Sequence, residues 1–326
     1  MKTRMTEILG IKYPIMQGGM QHLGVPELAS AGSEAGGLGT INGTIYPDPK
    51  DLRRAIRKVK EMTGRPFAVN ISLIPSLRPG KELFDQVNVI LEEGVPAVET
   101  AGASPQELAD ILNVHKDQVK WIHKAACVKH AKKAESMGAD LITMAGFEVA
   151  GHPHTDGVGT MVLANRTARE VKVPVLAAGG IADGRGLLAA LSLGCEGIVM
   201  GTRFVASKEC LIHQNQKEWI VNSDENRTVL CQKSIRNMVR VADNEAARKC
   251  LELESRGASL EELMPVISGK RGKAAYESGD VDEGMFAVGP SCGLIHEVKT
   301  CGEILDSIME EAGQCLDRLN AIQGNR

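Results

Sequence analysis

Eight short apolar runs, each closing on a small or polar residue, recur along this chain at nearly even spacing. They are YPIMQ, GLGTI, PFAVNI, PAVET, VKWIHK, DLITM, VPVLAAG and GIVMG. With one marker at each end (Gly18, Asn42, Asn70, Thr100, Lys124, Gly146, Gly180 and Gly201), the steps are 24, 28, 30, 24, 22, 34 and 21 residues. Each step has room for one strand and one helix, and helical apolar patterns fill 52–62, 82–93, 127–137 and 186–193. Strands separated by helices pair in parallel through right-handed crossovers. Eight such units predict a closed α/β (β/α)8 TIM barrel rather than an open doubly wound sheet. An open dinucleotide-binding sheet would need GxGxxG after the first strand and an acidic residue about 20 positions on. Here the first strand leads into QGGMQHLG, and GSEAGGLG leaves a helix and enters a strand, the reverse of the required order.

A barrel of this type needs about 250 residues, and the chain has 326. The surplus falls after the eighth apolar run, over 206–290, where strand-like runs stop and helical, polar sequence takes over. The expected organisation is a barrel built from 1–205 and 291–326, with 206–290 inserted as a helical subdomain on the substrate side. The last segment, 302–322, carries Ile304, Leu305, Ile308, Ala312, Cys315, Leu316 and Leu319 on one helical face, and is predicted to return as the eighth barrel helix.

Charge narrows the function classes. The 38 basic and 41 acidic side chains are mixed along the chain, for a net charge of −3. That pattern offers no stripe for nucleic acid and no polybasic membrane patch. No apolar run approaches the roughly 18 residues of a membrane span, and the first residues lack a secretory h-region. A cytoplasmic protein handling small molecules is the expectation. The eight cysteines include no CxxC and read as reduced thiols rather than a metal site. Glycine is abundant, at 35 residues, while aromatics are only 3%. Any ligand pocket must therefore be built largely from backbone and small side chains.

In such a barrel the reacting groups sit at the C-terminal ends of the strands. AAGGIADG ends the seventh strand and VMGTRF the eighth, with Asp183 placed to cap the following helix. These two loops are where the architecture binds phosphate through backbone N–H groups. Lys124 ends the fifth strand, where it can place a positive charge near an anionic group. Asn70 ends the third, and a buried amide there must find partners. The sixth strand runs into GFEVAGHPHTDGVGT. There AGH can bring backbone close to a flat ligand and raise the imidazole of His152 above it. His154, two residues on, reads as a solvent-facing loop residue. Two histidines are too few for a metal. His123 is expected to face the helical layer, and His22 to line the pocket.

The chain resembles the flavin-dependent barrel enzymes of the nitronate monooxygenase (2-nitropropane dioxygenase) family, a superfamily that also holds FMN-dependent enoyl-acyl-carrier-protein reductases. Its nearest likeness is to the NADH:quinone reductase branch. PIMQGGM, PFAVNISLIP, VETAG, IHKAACVKHA, GFEVAGHP, AAGGIADGRG, MGTRF and YESGDVDEGMFAVGPSCGLI carry the resemblance. It implies FMN at the barrel mouth. Gly18, Gly19 and Met20 fall on the first flavin loop, and Asn70 and Lys124 on its polar contacts. Ala145, Ala150 and Gly151 fall around the isoalloxazine, and Gly179, Gly180, Met200, Gly201 and Thr202 on the phosphate cradle. His152 matches the active-site histidine. PHTDGVGT departs from the GGHxG form of many nitronate enzymes.

The leading expectation is an FMN-dependent oxidoreductase passing hydride from NAD(P)H to a quinone-like or activated-alkene acceptor. A nitronate monooxygenase and an enoyl-thioester reductase are the enzymatic alternatives. A flavin-storing barrel and a phosphosugar isomerase or aldolase are the alternatives outside this chemistry. The resemblance leaves a homo-oligomer open.

Overall fold

The computed structural model describes residues 1–73 and 80–324. The last two residues of the PFAVNISLIP motif lie outside them. The elements run α1 (Arg4–Leu9), β1 (Ile15–Gln17), α2 (Pro26–Glu34), β2 (Gly39–Asn42), α3 (Pro49–Met62), β3 (Phe67–Leu73), α4 (Gly80–Glu92), β4 (Ala97–Gly102), α5 (Gln106–Val114) and β5 (Lys120–Ala125). Next come α6 (Val128–Ser136), β6 (Leu141–Ala145), α7 (Thr160–Ala168), β7 (Val175–Ala178), α8 (Gly184–Ser192), β8 (Gly197–Met200), α9 (Thr202–Val205), α10 (Gln214–Val221), β9 (Thr228–Cys231) and β10 (Val239–Ala242). The chain ends in α11 (Glu245–Ser255), α12 (Leu260–Ile267), α13 (Gly269–Ser278) and α14 (Cys301–Gly324).

All eight apolar runs are strands, and β1 to β8 form one parallel sheet in the order β1-β8-β7-β6-β5-β4-β3-β2. The two ends meet through a parallel bridge, Met16 to Leu38, with Gln17 N donating to Leu38 O at 2.9 Å and Leu38 N to Ile15 O at 2.9 Å. The sheet therefore closes into the predicted TIM barrel. Helix α3 shows why the intervening segments are helical. Asp48 caps its first turn through Lys50 N, Pro49 begins it, and Leu52, Ala55, Ile56 and Val59 repeat at helical spacing and are buried. Truncating Ile56 to Ala would cost about 2–5 kcal/mol.

The barrel interior has two zones. The lower zone is apolar: Met16, Leu38, Ala68, Ala97, Ile122, Leu141, Leu176 and Val199 pack with Met5, Leu9 and Ile11 of the N-terminal segment. Helix α1 thus plugs the bottom. Gly197 is required there, since a Cβ would lie 2.3 Å from Met5 Sδ. Two residues further along the same inward faces the chain turns polar, with Thr40, Asn70, Glu99, Lys124 and Thr143. The outward faces hold the main core against the helices. His123 belongs to that layer, as expected: it is 4% exposed, and its Nδ1 lies 2.9 Å from Thr100 Oγ1, which also accepts from Trp121 Nε1 at 2.8 Å.

Helix α14 does return to the barrel, packing on α8 and α2. Gly184 of α8 meets it so closely that a Cβ would sit 2.4 Å from Ala312 N. The predicted apolar face is buried only through Ala312; Leu316 and Leu319 are 44% and 47% exposed. The helix simply outruns the barrel wall. Between β8 and α14 the regular structure is chiefly helical, and it also holds an antiparallel pair, β9 with β10, that the apolar runs did not reveal. Cys231, Val239, Val241, Ala247, Cys250 and Leu263 give this segment a small core of its own.

Candidate active site

The first strand hands the chain to the mouth through backbone pairing. Gly18 N donates to Met200 O at 2.9 Å, and the buried Gln17 amide bonds Thr40 O at 3.0 Å and Thr40 N at 3.1 Å. Gly19 then presses on β3: a Cβ there would lie 2.4 Å from Asn70 Cβ. Met20 turns back over the eighth strand, with its Sδ 3.6 Å from where a Gly201 Cβ would be. The Met200 side chain belongs to the outward-facing core, so only its backbone reaches the mouth.

Beneath this loop lies the polar zone of the barrel. Asn70 donates through Nδ2 to Glu99 Oε2 at 2.6 Å, and Ser72 Oγ reaches Asn70 Oδ1 at 3.4 Å. Glu99 is fully buried, and its other oxygen has no partner among the described residues. Thr40 Oγ1 and Thr143 Oγ1 are buried and equally unpartnered. Lys124 stands half-buried at the end of β5, cross-strand from Thr143. Unmet polar groups of this kind are costly inside a protein, so their concentration under the mouth marks a place built for a polar ligand.

The loop after β6 is held from several sides. Gly146 passes Thr160 where no side chain would fit. Glu148 accepts from Thr160 N and Oγ1, both at 2.8 Å. Gly151 has φ +72°, and a Cβ there would meet nothing within 4 Å, so open space lies beside the backbone at this point. Strand β10 pins this point: Gly151 N donates to Arg240 O at 3.0 Å, and Arg240 N to Gly151 O at 2.6 Å. The Arg240 guanidinium reaches Phe147 O at 3.1 Å and stacks on the Phe147 ring at 5.1 Å.

His152 follows Gly151 on this pinned loop and is exposed. Solvent reaches the ring, yet the surrounding protein penalises its charged form and depresses its pKa. The Asn237 side chain opposes that shift, while the Lys124 charge adds to it. The Lys124 charge is thus felt at His152. His154 is drawn aside; it is half-buried, pairs with Asp156 at 3.3 Å and meets His130 edge to face at 6.2 Å. His22 lines a cavity of about 440 Å³ with Thr44, Lys273 and Tyr276. Among the described residues no group of three or more His, Cys, Asp and Glu could hold a metal ion.

The seventh and eighth loops supply donors. Gly179 and Gly180 have φ of +106° and +72°, backbone that favours glycine. Asp183 caps α8 by accepting from Gly186 N at 2.8 Å, as expected, and Gly184 N is taken by Glu311 Oε2 at 2.9 Å. The Gly184 and Gly186 amides at the start of α8 are therefore taken within the protein. The amides of Gly179, Gly180, Gly201 and Thr202 donate to no acceptor among the described residues, while Thr202 Oγ1 accepts from Gly289 N at 3.0 Å. Four backbone donors on adjacent loops suit a phosphate group.

Sequence reasoning missed Glu99, Asn237 and Arg240. Glu99 was legible in principle, two residues along the inward face from Ala97. Asn237 and Arg240 reach the mouth only through the pairing of β10 with Gly151, which leaves no local pattern.

An enzyme of the oxidoreductase class fits this barrel and its mouth. The chain belongs to the nitronate monooxygenase family, whose sequence profile matches residues 2–78 and 74–311. It is 30% identical to a probable nitronate monooxygenase of Staphylococcus saprophyticus, over 98% of this chain and 99% of the relative. It is 29% identical to a (3aS,4S,5R,7aS)-5-hydroxy-7a-methyl-1-oxo-octahydro-1H-indene-4-carboxyl-CoA dehydrogenase of Rhodococcus jostii, over 99% of each chain. Among solved structures, FabK from Thermotoga maritima is 39% identical over 99% of each chain, with a TM-score of 0.90. Members of the family are flavoproteins.

Proposed function

We propose that this protein is an FMN-dependent oxidoreductase that takes hydride from NAD(P)H and delivers it to a quinone-like or activated-alkene acceptor. The observation that carries this reading is Lys124 at the end of β5, with no ion-pair partner among the described residues, beside buried oxygens of Thr40, Glu99 and Thr143 that have no partner among them either. FMN, when bound, supplies the two-electron carrier between donor and acceptor. The acceptor-free amides of Gly179, Gly180, Gly201 and Thr202 hold its phosphate. Gly18, Gly19, Met20, Ala145, Ala150 and Gly151 give the ring close backbone contact, and Asn70 is its polar neighbour on β3. Lys124 places positive charge where a reduced flavin is anionic. His152, whose depressed pKa favours the neutral imidazole, orients the acceptor by hydrogen bonding. Its minor imidazolium form, the more acidic for that depression, gives the acceptor a proton and returns to the neutral ring.

The division into a barrel (1–205 and 291–326) and a substrate-side insert (206–290) is part of this proposal, supported by the separate small core of the insert. The thioester substrate in the name of the Rhodococcus relative favours an acceptor of the activated-carbonyl class. A second reading, nitronate oxidation with oxygen, is favoured by the family match. Oxygen uptake separates the two. Propionate 3-nitronate should drive little uptake, while NAD(P)H with a benzoquinone should turn over without oxygen. Brisk nitronate-dependent uptake with no quinone turnover would make the second reading the right one.

A further inference from the structure

We propose that Arg240, on β10 of the inserted segment, is a positioning residue for His152: its side chain and its backbone hold the two ends of the loop that carries the imidazole, so that the insert, not the barrel wall, sets where the ring departs from the chain. This rests on His152 acting on the acceptor as proposed above.

The loop leaves β6 at Gly146 and reaches His152 six residues later. Arg240 touches it near both ends. One terminal guanidinium nitrogen donates to Phe147 O at 3.1 Å, and the guanidinium lies over the Phe147 ring at 5.1 Å. The other terminal nitrogen donates to Thr228 Oγ1 at 3.2 Å, so β9 joins the hold. At the far end the backbones pair: Gly151 N donates to Arg240 O at 3.0 Å, and Arg240 N to Gly151 O at 2.6 Å. Arg240 is 8% exposed, so these bonds form where water competes little.

The bond to Gly151 O bears most directly on His152. That carbonyl shares a peptide plane with the nitrogen and Cα of His152. Fixing the oxygen therefore fixes the point from which the imidazole starts. Gly151 has φ +72° with open space beside it, so glycine serves here for its conformation and not for crowding. The pair of bonds with Arg240 holds that conformation. On the other side, Pro153 restricts the His152 backbone to extended conformations. With both flanks held, the ring keeps only its side-chain torsions. Hydrogen bonds from the barrel side reach no further along this loop than Glu148 among the described residues. Gly146 N donates to Ala178 O at 2.9 Å, Phe147 N to Val158 O at 2.9 Å, and Thr160 N to Glu148 at 2.8 Å. The last stretch before His152 is therefore tied to the insert.

The test is a double-mutant cycle on FMN-loaded protein, reduced with dithionite and mixed with a benzoquinone without oxygen. Arg240→Met keeps bulk and removes the donors. It should slow reoxidation about 10²-fold, the effect of displacing a reacting group by about 1 Å. In a His152→Ala background the same change should alter the rate by less than about twofold, because no ring remains to be placed. Hydrogen exchange supplies a readout that needs no turnover. With the side-chain anchor gone, the Gly151 amide should exchange at least about tenfold faster, as expected for loss of one hydrogen bond from a charged group. FMN content identifies a variant that has not folded. Arg240→Lys, which keeps the charge and one donor but lacks the planar fork, then takes its place in the cycle. Equal slowing in the parent and in His152→Ala would overturn the proposal, as would reoxidation at the parent rate or Gly151 exchange unchanged from the parent. A parent that passes no electrons to the quinone would sink the proposed reaction, and Gly151 exchange would then judge the hold on its own.

Discussion

Replacing Gly19 by Ala should loosen the proposed flavin site by displacing Asn70. The added Cβ would stand 2.4 Å from Asn70 Cβ and 2.5 Å from its Cγ, where carbon atoms prefer roughly 3.5–4.0 Å. One side must move by more than about 1 Å. Asn70 cannot swing freely, because its Nδ2 is held by the buried Glu99 carboxyl at 2.6 Å. Overpacking of this kind costs about 1–3 kcal/mol. Stripping Glu99 of its one described partner adds about 1–3 kcal/mol. The total, roughly 2–6 kcal/mol, divides between folding stability and the flavin-competent mouth. If about 1.4 kcal/mol falls on the mouth, FMN binds about tenfold more weakly. The assay is fluorescence titration of deflavinated protein with FMN, beside a urea melt of the same preparation. Gly201→Ala is the internal control: its Cβ would meet only Met20 Sδ, at 3.6 Å, so the urea midpoint should hardly change. Parent-like FMN affinity together with a parent-like urea midpoint in Gly19→Ala would refute the claim that the first loop is packed on Asn70.

Lys124→Met should lower the flavin midpoint potential by roughly 30 mV, about 1.4 kcal/mol for a two-electron couple, because an ammonium no longer favours the anionic reduced ring; a redox titration reads this directly. His152→Ala should retain FMN and lose roughly 10²–10⁴-fold in acceptor turnover, whereas His154→Ala, whose ring is occupied by Asp156 and His130, should be near neutral in the same assay. His123 should make the fold acid-sensitive. Burial, then the fields of His130 and Lys124, lower its pKa to about 4, so its neutral form is the stable one. Stability is full above the ordinary value near 6.5 and falls as pH drops toward 4, by about 3 kcal/mol. Urea midpoints at pH 7.5 and 4.5 should therefore differ less in His123→Gln than in the parent.

Much of the barrel was legible because its signals are local. Each strand is a short apolar run with a small or polar end, and the spacing admits few topologies. Asp183 announced its cap, and His123 faced outward as the alternation with Lys124 required. The return of α14 was readable from Ile304 to Ala312; past that point the same periodicity continues, but no wall remains for Leu316 and Leu319 to cover. Strands β9 and β10 were not legible. Each is four residues long, and their connection lacks the glycine that usually marks a turn, since Gln232 and Arg236 take its left-handed positions. The hold of the insert on His152 depends on that hairpin, so it could be seen only in three dimensions. The seventh and eighth loops do follow β7 and β8 as the sequence predicts, but Gly184 N and Gly186 N at the start of α8 are taken by Glu311 and Asp183, so the proposed phosphate donors are the glycines before it and the eighth loop.

An anaerobic titration of the purified protein with NADH, and separately with NADPH, tests the central claim most directly. Visible absorbance reports the flavin. With FMN at this mouth and hydride as the incoming electron pair, the band should bleach with about one equivalent of one nicotinamide and return when a benzoquinone is added. A preparation with no flavin band, or one bleached by propionate 3-nitronate and by neither nicotinamide, would contradict it.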